Sequence, residues 1–141
     1  MSKTIKDFIG DRPAPVYTAS PGDSLKEVVM KMIDSHVGCL VVKDGDSYTG
    51  IVTERDVMHA VSDFDDVCAI SVSKVMTKKI RFIAPDDTLE YAAKVMRKKG
   101  IRHLPVFDGD NILYVLSIRD IAFAELDELQ DEVNILTDYI S

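Results

Sequence analysis

Apolar residues along the chain first fall into stretches with the spacing of an amphipathic helix. Such spacing begins at Leu25 and again at Leu89, and each start follows a hydroxyl residue that suits an N-cap. Glycines at Gly38 and Gly100 predict where these two helices end. Two further helices are expected to begin at Glu54 and Ile118.

The segments after these helices have the composition and spacing of strands. They are rich in β-branched and aromatic residues, and an Asp-Gly pair interrupts each of them at Gly45 and Gly109. Asp-Gly between two strand-like runs is a strong hairpin signal. The predicted strands occupy residues 39–43, 48–53, 103–107 and 112–117, with shorter extended pieces at 16–18 and 80–83.

The chain repeats itself with an offset of 64 residues. Without a gap, residues 18–57 and 82–121 share 11 identities in 40 pairs, where composition alone gives about two or three. Further upstream, residues 5–9 resemble residues 72–76 if the first copy carries three extra residues around its prolines. The predicted organisation is one repeat at 1–63, a second at 64–124, and an acidic amphipathic C-terminal helix at 125–141.

Charge and composition disfavour several classes of function. The 141 residues carry a net charge of −7 and are 46% hydrophobic, which is typical of a folded globular protein. From Glu125 onward there are six acids and no base, and the rest is nearly neutral, which disfavours nucleic-acid binding. The longest apolar run, residues 112–116, is too short to cross a membrane, and no export signal is recognisable. The expectation is a cytoplasmic protein without a membrane partner.

Thr53 and Asp56 carry the clearest candidate chemistry. Thr53 stands where a predicted strand runs into a helix, whose N-terminal N–H groups and dipole suit a phosphate. An ionised Asp56 can accept hydrogen bonds from two neighbouring sugar hydroxyls, and Gly50 leaves room for a ligand or a neighbouring backbone. The same Thr-x-x-Asp spacing is also a helix-capping pattern, so both interpretations stay open. The second copy repeats the pattern as Ser117 and Asp120.

These residues, taken in order and twice, resemble a tandem pair of CBS (cystathionine-beta-synthase) domains, a Bateman module. The resemblance implies an α+β fold of two pseudo-symmetric β-α-β-β-α repeats packed through their sheets, plus a C-terminal helix. It also implies a dimeric regulatory fold that binds adenosine-containing ligands in clefts between the repeats. It rests on the segments 20–25, 41–42 and 50–56 in the first copy, and 72–77, 84–89, 100–106 and 117–120 in the second.

The resemblance also implies which residues contact the ligand, expected to be AMP, ADP, ATP or a related compound. Tyr114 stands where the first copy has Gly50, and Arg102-His103 stands where it has Gly38-Cys39. We therefore expect unequal sites, the first better for the nucleoside and the second richer in phosphate partners. The implied ligand-binding residues are Val16, Gly38, Cys39, Thr53, Arg55 and Asp56, and in the second copy Ile80, Arg102, His103, Ser117, Arg119 and Asp120.

Three classes of function remain. The favoured one is a ligand-sensing module without catalytic residues that signals to an unknown regulated protein. The second is a ligand-independent interaction or dimerisation module, in which the Thr/Ser-x-x-Asp motifs are only helix caps. The third is a redox or metal-linked enzyme using Cys39 or His103, which is the weakest because His36-x-x-Cys39 lacks further ligands at regular spacing and no metal site is predicted.

An apolar seam at heptad-like spacing marks the C-terminal segment. Its opposite face is acidic, which argues against an anionic membrane surface. The seam either docks on its own domain or pairs with a second subunit, and a homodimer is the favoured expectation. The seam residues are Ala122, Leu126, Leu129, Val133, Leu136 and Ile140.

Overall fold

A computed structural model describes residues 3–10 and 15–140 and confirms the predicted class, with helices and strands in two similar series. The sequence of elements agrees with the hydrophobic pattern, and two short 3-10 turns precede the second series. The elements are α1 Ile5–Ile9, β1 Thr18–Ala19, α2 Leu25–Ser35, β2 Cys39–Asp44, β3 Ser47–Thr53, α3 Glu54–Asp63, the 3-10 turns Val67–Ala69 and Val72–Lys74, α4 Leu89–Lys99, β4 His103–Asp108, β5 Asn111–Ser117 and α5 Ile118–Ile140.

Both predicted hairpins form. β2 pairs antiparallel with β3, and β4 pairs antiparallel with β5. The register shifts at the equivalent place in each hairpin, after Val42 in β2 and after Val106 in β4. Gly45 and Gly109 occupy the turns with φ of 60° and 61°, a left-handed conformation that favours glycine. The two copies therefore build the same hairpin from different side chains.

The first strand differs between the copies. β1 runs parallel to β2, and the N–H of Val41 donates to the carbonyl of Tyr17 at 3.1 Å. Pro105 stands at the position of Val41 in the second copy and has no N–H to donate. The predicted extended piece at 80–83 consequently forms no strand and contributes one bridge, between Ile83 and Val106.

Helix α2 also ends two residues earlier than predicted. His36, not Gly38, is the left-handed C-cap, with φ of 56°, whereas α4 does end at Gly100. A Cβ at Gly38 would meet the side chain of Glu54, which is exposed and whose carboxylate end can move aside. Space alone therefore does not require a glycine at this position.

The chain forms two compact units, which do not coincide with the repeat boundaries expected from the sequence. One unit is residues 15–80. The other combines residues 3–10 with 81–140. Each has its own apolar core. The first core is Ala19, Val28, Met32, Leu40, Val42, Val52 and Val72, and the second is Ile5, Phe8, Ile83, Leu89, Ala92, Met96, Leu104, Val106, Leu116, Ile121 and Ala124.

This division arises because each repeat's lead-in segment packs in the other repeat's unit. We use "lead-in segments" for residues 3–10 and 70–77. The N–H of Ile5 donates to the carbonyl of Asp87 at 2.8 Å. The N–H of Val72 donates to the carbonyl of Asp23, also at 2.8 Å. Ile5 and Val72 are 67 residues apart whereas Asp23 and Asp87 are 64 apart, which confirms that the first copy has three extra residues. Their expected place around Pro13 lies outside the described residues.

α5 is one unbroken helix from Ile118 to Ile140, and the expected boundary at 124/125 lies inside it. Ile121 and Ala124 are buried, whereas every residue from 125 to 140 is exposed. The interpretation that the C-terminal seam docks on its own domain is therefore wrong for this structure. None of the helices in residues 3–10 and 15–140 is both long and apolar enough to cross a bilayer.

Candidate ligand site

The first candidate site lies where β3 runs directly into α3. Thr53 is both the last residue of β3 and the N-cap of α3. Its hydroxyl accepts the N–H of Asp56 at 3.3 Å, and its own N–H donates to Oδ2 of Asp56 at 3.0 Å. This is a complete capping box, so the capping interpretation of Thr-x-x-Asp is confirmed and a carboxylate is fixed at the helix start.

A residue that the sequence analysis did not select completes this arrangement. The Thr77 hydroxyl donates to Oδ1 of Asp56 at 3.3 Å. Two backbone hydrogen bonds of 2.9 and 2.8 Å hold Thr77 beside Ile51 of β3. No local pattern signals this pairing, because the two residues are far apart in sequence and Thr77 lies outside any predicted strand. Its place at the end of the second lead-in segment, residues 70–77, is the one clue that the sequence offers.

Gly50 lies where residues 76–77 pack against β3. A Cβ on Gly50 would stand 2.7 Å from Sδ of Met76 and 2.9 Å from the carbonyl oxygen of Thr77. Of the two partners considered from sequence, a ligand or a neighbouring backbone, the structure shows the neighbouring backbone. Glycine is required here for close packing of the lead-in segment.

Gly38 and Cys39 lie against the same junction. The Gly38 carbonyl accepts the N–H of Glu54 at 3.0 Å, and Cys39 pairs with Thr53 in the β2–β3 register. Burial and, as a smaller effect, the charge of Asp56 raise the pKa of the Cys39 thiol to about 12. The thiol is therefore protonated at neutral pH, which makes it a poor nucleophile.

Val16 and Ile80 have different surroundings although the sequence predicts the same role for both. Val16 is half-buried and lies two residues before Thr18, whose partner in β2 is Val41. Continuing this parallel register places Val16 at the level of Cys39. Ile80 ends the 15–80 unit and so belongs to a different unit from Ser117 and Asp120.

The second junction repeats the first at the start of α5. The N–H of Ser117 donates to Oδ2 of Asp120 at 2.9 Å, and the Ser117 hydroxyl accepts the N–H of Asp120 at 3.2 Å. The Arg102 carbonyl accepts the N–H of Ile118 at 2.9 Å, as Gly38 does for Glu54. His103 pairs with Ser117 across the β4–β5 hairpin. The structure therefore brings together Arg102, His103, Ser117 and Asp120.

Two differences separate the second junction from the first. With the lead-in offset of 67, Gly10 occupies the position of Thr77 and has no hydroxyl to give Asp120. Tyr114, at the position of Gly50, packs against the core of its own unit. Of the two roles considered for its ring, filling ligand space or packing in the core, the structure shows core packing.

The arginines expected at the phosphate lie on the outer surface. Arg55 and Arg119 are the second residues of α3 and α5, and both are exposed, as is Arg102. The Arg119 guanidinium lies 5.8 Å from the centre of the Phe123 ring, a cation–π distance. His103 is half-buried. These side chains reach solvent near the helix starts.

A shallow groove extends from the first junction along α3. It runs from Asp56 past His59 and Asp63 to Phe64, and Lys74 of the second 3-10 turn also lines it. No three metal-ligating side chains come together within residues 3–10 and 15–140, and His36-x-x-Cys39 gains no further ligand there. The groove is thus a polar depression that opens beside the Asp56 carboxylate.

Comparison with known sequences finds the same repeat. The family model of the CBS domain matches residues 5–63 and again 72–127. An uncharacterized 17.7 kDa protein of Acidianus ambivalens is 37% identical over 114 residues, 79% of this chain and 68% of that protein. An uncharacterized 33.4 kDa protein of Thermofilum pendens is 30% identical over 122 residues, 86% of this chain but only 39% of that protein.

Solved structures have the same fold. The CBS-domain containing protein ATU1752 from Agrobacterium tumefaciens superposes with a TM-score of 0.84 at 29% identity, covering 89% of this chain and 95% of that one. The CBS domain pair of protein MJ0100, in complex with 5-methylthioadenosine and S-adenosyl-L-methionine, gives 0.79 at 21% identity, with 91% and 99% coverage. CBSX2 in complex with AMP gives 0.72 at 22% identity, with 89% and 97% coverage.

Proposed function

Because this chain belongs to the CBS-domain family and carries two CBS repeats, we propose that it is a regulatory module that binds an adenosine-containing ligand. The ligand would alter its affinity for a partner protein, since a ligand shifts an equilibrium only by binding two states unequally. The observation that carries the proposal is the repeated strand-to-helix junction. There an aspartate carboxylate caps a helix N-terminus through its Oδ2.

The carboxylate geometry suits a ribose. Asp120 uses Oδ2 for the cap, and within residues 3–10 and 15–140 no group donates to its Oδ1. A second acceptor oxygen beside a helix N-terminus can take a sugar hydroxyl while the helix dipole favours the attached phosphate. Solved structures of this fold in complex with AMP, or with 5-methylthioadenosine and S-adenosyl-L-methionine, support an adenosine compound as the ligand class.

The two junctions are proposed to differ in their readiness to bind. At Asp56, the Thr77 hydroxyl already donates to Oδ1, so a ribose hydroxyl has to displace it. At Asp120 the corresponding lead-in residue is Gly10, and Arg102 and His103 lie nearby for a phosphate. The sequence alone favoured the first junction for the nucleoside. The contact with Thr77 leads us to propose the second junction as the tighter one.

Thermal unfolding in the presence of AMP, ADP, ATP, NAD and S-adenosylmethionine tests the proposal. A ligand at about 100 times its Kd should add roughly 2.7 kcal/mol to the free energy of unfolding. That corresponds to a rise of several degrees in Tm for a chain of this size. Asp120→Ala is expected to remove most of the rise and Asp56→Ala a smaller part.

A matched control separates loss of ligand from loss of a helix cap. Glu27 is the third residue of α2, where the Ser24 hydroxyl accepts its N–H at 3.2 Å and donates to its carboxylate at 3.0 Å. Glu27→Ala perturbs this comparable cap away from both junctions, so it should lower Tm slightly and leave the ligand-induced rise intact. If the rise survives both aspartate variants, these carboxylates do not bind the ligand.

The alternative is a ligand-independent interaction module, and one observation favours it. Both capping boxes are made entirely of protein groups, so the motifs have a structural use. In that case no adenosine compound should raise Tm and no nucleotide should co-purify. The search would then move to protein partners.

A further inference from the structure

The C-terminal part of α5 presents an uncovered apolar face. We use "α5 seam" for its six residues at heptad-like spacing, which are Ala122, Leu126, Leu129, Val133, Leu136 and Ile140. Leu129 and Val133 at the centre of the seam are 57% and 54% exposed. A continuous aliphatic stripe along a helix that is otherwise charged indicates an interaction surface.

The seam faces away from the core of the unit that α5 belongs to. Among the residues that the structure describes, Ile121 and Ala124 are the buried ones of this helix, and they mark its core-facing side. With about 100° of rotation per residue, that side lies about 130° around the helix from the centre of the seam. A straight helix therefore cannot turn the seam onto this core, and another molecule has to cover it.

The charges along α5 specify what the cover has to supply. Residues 125–140 contain six acids and no base. Glu125 and Glu132 line one edge of the seam, and each directly precedes a seam residue. They are two helical turns apart, or about 10.5 Å along the axis. The opposite edge carries the uncharged Gln130 and Thr137. The surface is thus an apolar stripe with an acidic edge.

A basic amphipathic helix of another protein supplies both parts of the complement. Apolar side chains at alternating spacings of three and four residues would pack between those of the seam. Lysine or arginine at seven-residue spacing along one flank would lie opposite Glu125 and Glu132. Such a helix covers the stripe and neutralises its edge at the same time.

The other candidate covers do not match these charges. A second α5 would bring six more acids and no base, so Glu125 and Glu132 would gain no opposite charge in either helix direction. An anionic membrane surface would be repelled by the same acids. Charge complementarity therefore favours a basic partner over both.

We propose that the α5 seam, with Glu125 and Glu132 on its edge, is a docking surface for a basic amphipathic helix of a partner protein. It would give the proposed regulatory module a place to contact that partner. The surface lies outside the junctions at Asp56 and Asp120, and docking needs no nucleotide. The two proposals can therefore fail separately.

Fluorescence anisotropy of a labelled synthetic helix, titrated with the whole chain in the absence of nucleotide, is the first test. The probe spans about four heptads, with leucine at positions a and d, lysine at e and g, and alanine or glutamine elsewhere. Repulsion between the lysines opposes pairing of the probe with itself, and lysine on both flanks suits either helix direction. The chain is expected to bind it.

Two matched helices separate the apolar requirement from the charged one. In one of them glutamate replaces every lysine, and in the other serine replaces every leucine. The lysine probe should bind about tenfold more tightly than either, because each control lacks one part of the complement. No binding of the lysine probe, or equal affinity for all three helices, overturns the proposal.

A substitution in the seam locates the docking surface. Leu129→Gln should weaken binding of the lysine probe about five- to thirtyfold, because it removes a central apolar side chain without changing charge. Ile135→Gln is the matched control, since Ile135 is 68% exposed and lies about 140° around the helix from the centre of the seam. Equal effects of the two variants would show that the seam is not the docking surface.

Neutralising the acidic edge tests the charge requirement. Glu125→Gln combined with Glu132→Gln should raise the Kd of the lysine probe about two- to tenfold. The control combines Asp127→Asn with Asp131→Asn, which removes the same net charge from the side of the helix opposite the seam. If both pairs of substitutions act equally, general attraction between opposite charges explains binding and the proposed surface is wrong.

Two other occupants of the seam would give different results. If a second copy covers it, the chain sediments as a dimer that Leu129→Gln disperses and Ile135→Gln does not. If lipid covers it, phosphatidylcholine vesicles sediment the wild-type chain but not Leu129→Gln. Either result overturns docking of a basic helix as the use of this surface.

Discussion

The Asp56 carboxylate has one structural use, which involves Thr53, and one proposed functional use. Oδ2 of Asp56 accepts two hydrogen bonds from Thr53, at 3.0 and 3.2 Å, and thereby completes the helix cap. An N-cap contributes about 1 kcal/mol to stability. The proposed ligand contact uses the other oxygen, so the same aspartate can cap a helix and bind a sugar. A stability loss in an Asp56 variant is therefore no evidence against a ligand role.

Cys39 is expected to give the protein a characteristic sensitivity to alkaline pH. Its pKa is about 12 in the folded chain against an ordinary value of 9.0. Between these values the unfolded thiol loses its proton and the folded one keeps it, so the folded state binds more protons. The free energy of unfolding should fall as pH rises through this window, by up to about 1.4 kcal/mol per pH unit.

Urea unfolding of Cys39→Ala and wild type at several pH values checks this. The difference in stability between the two proteins should be constant below pH 9.0 and shrink above it. Cys68→Ala is the matched control because that thiol is exposed. Parallel pH dependence of wild type and Cys39→Ala would show that Cys39 does not cause the effect.

Gly50 gives a second prediction at the residue scale. Gly50→Ala should destabilise the chain by about 1–3 kcal/mol, because the new methyl group meets the Thr77 backbone and overpacks the contact between residues 76–77 and β3. Gly22→Ala is the control, since nothing lies within 4 Å of a Cβ there. Equal urea midpoints for the two variants would show that residues 76–77 can shift enough to accommodate a methyl group.

At the scale of elements, the lead-in segments determine which part of the chain a mutation affects. Ile5 is fully buried in the core that contains Leu89 and Leu104, although it precedes the first repeat in sequence. Val72 is fully buried in the core of the 15–80 unit, although it precedes the second repeat. Each unit therefore depends on a segment that the linear sequence places with the other one.

Ile5→Ala and Val72→Ala should reveal this exchange by native-state hydrogen exchange. Ile5→Ala should cost about 2–5 kcal/mol and lower protection in residues 81–124. Val72→Ala should cost roughly 1.5–3 kcal/mol and lower protection in residues 15–63. The two variants serve as controls for each other. Loss of protection in the sequence-adjacent repeat instead would contradict the packing described here.

For the molecule as a whole, the sequence predicts the features that depend on residues close together in the chain. Hairpins follow from Asp44-Gly45 and Asp108-Gly109, and the caps follow from Thr53 and Ser117, because turn and cap chemistry depends on near neighbours. The contact of Thr77 with Asp56 could not be predicted, since it depends on a pairing between distant segments. Whether the apolar seam of the C-terminal segment docks on its own domain also could not be decided, because a seam that docks and a seam that pairs with another subunit have the same heptad spacing.

The internal repeat explains why the two units are alike and also where they differ. Equivalent backbone hydrogen bonds recur at several positions, whereas side chains at equivalent positions diverge, with Val41 against Pro105 and Gly50 against Tyr114. Pro105 removes one strand bond, and Tyr114 fills core space in its own unit. Two junctions of similar backbone, both proposed to bind a ligand, can in this way differ in their ligand preferences.

The exchange of lead-in segments also has a consequence for how the protein is made. On the ribosome, the 15–80 unit can close as soon as its last residue has left the exit tunnel, since all its parts are contiguous. The other unit joins residues near both ends of the described chain, so α1 emerges first and waits until synthesis reaches α5. During that interval the side chains of Ile5 and Phe8 have no core to enter. Until residues 81–124 have been made, these two apolar side chains therefore stay exposed on the nascent chain, where chaperones can bind them.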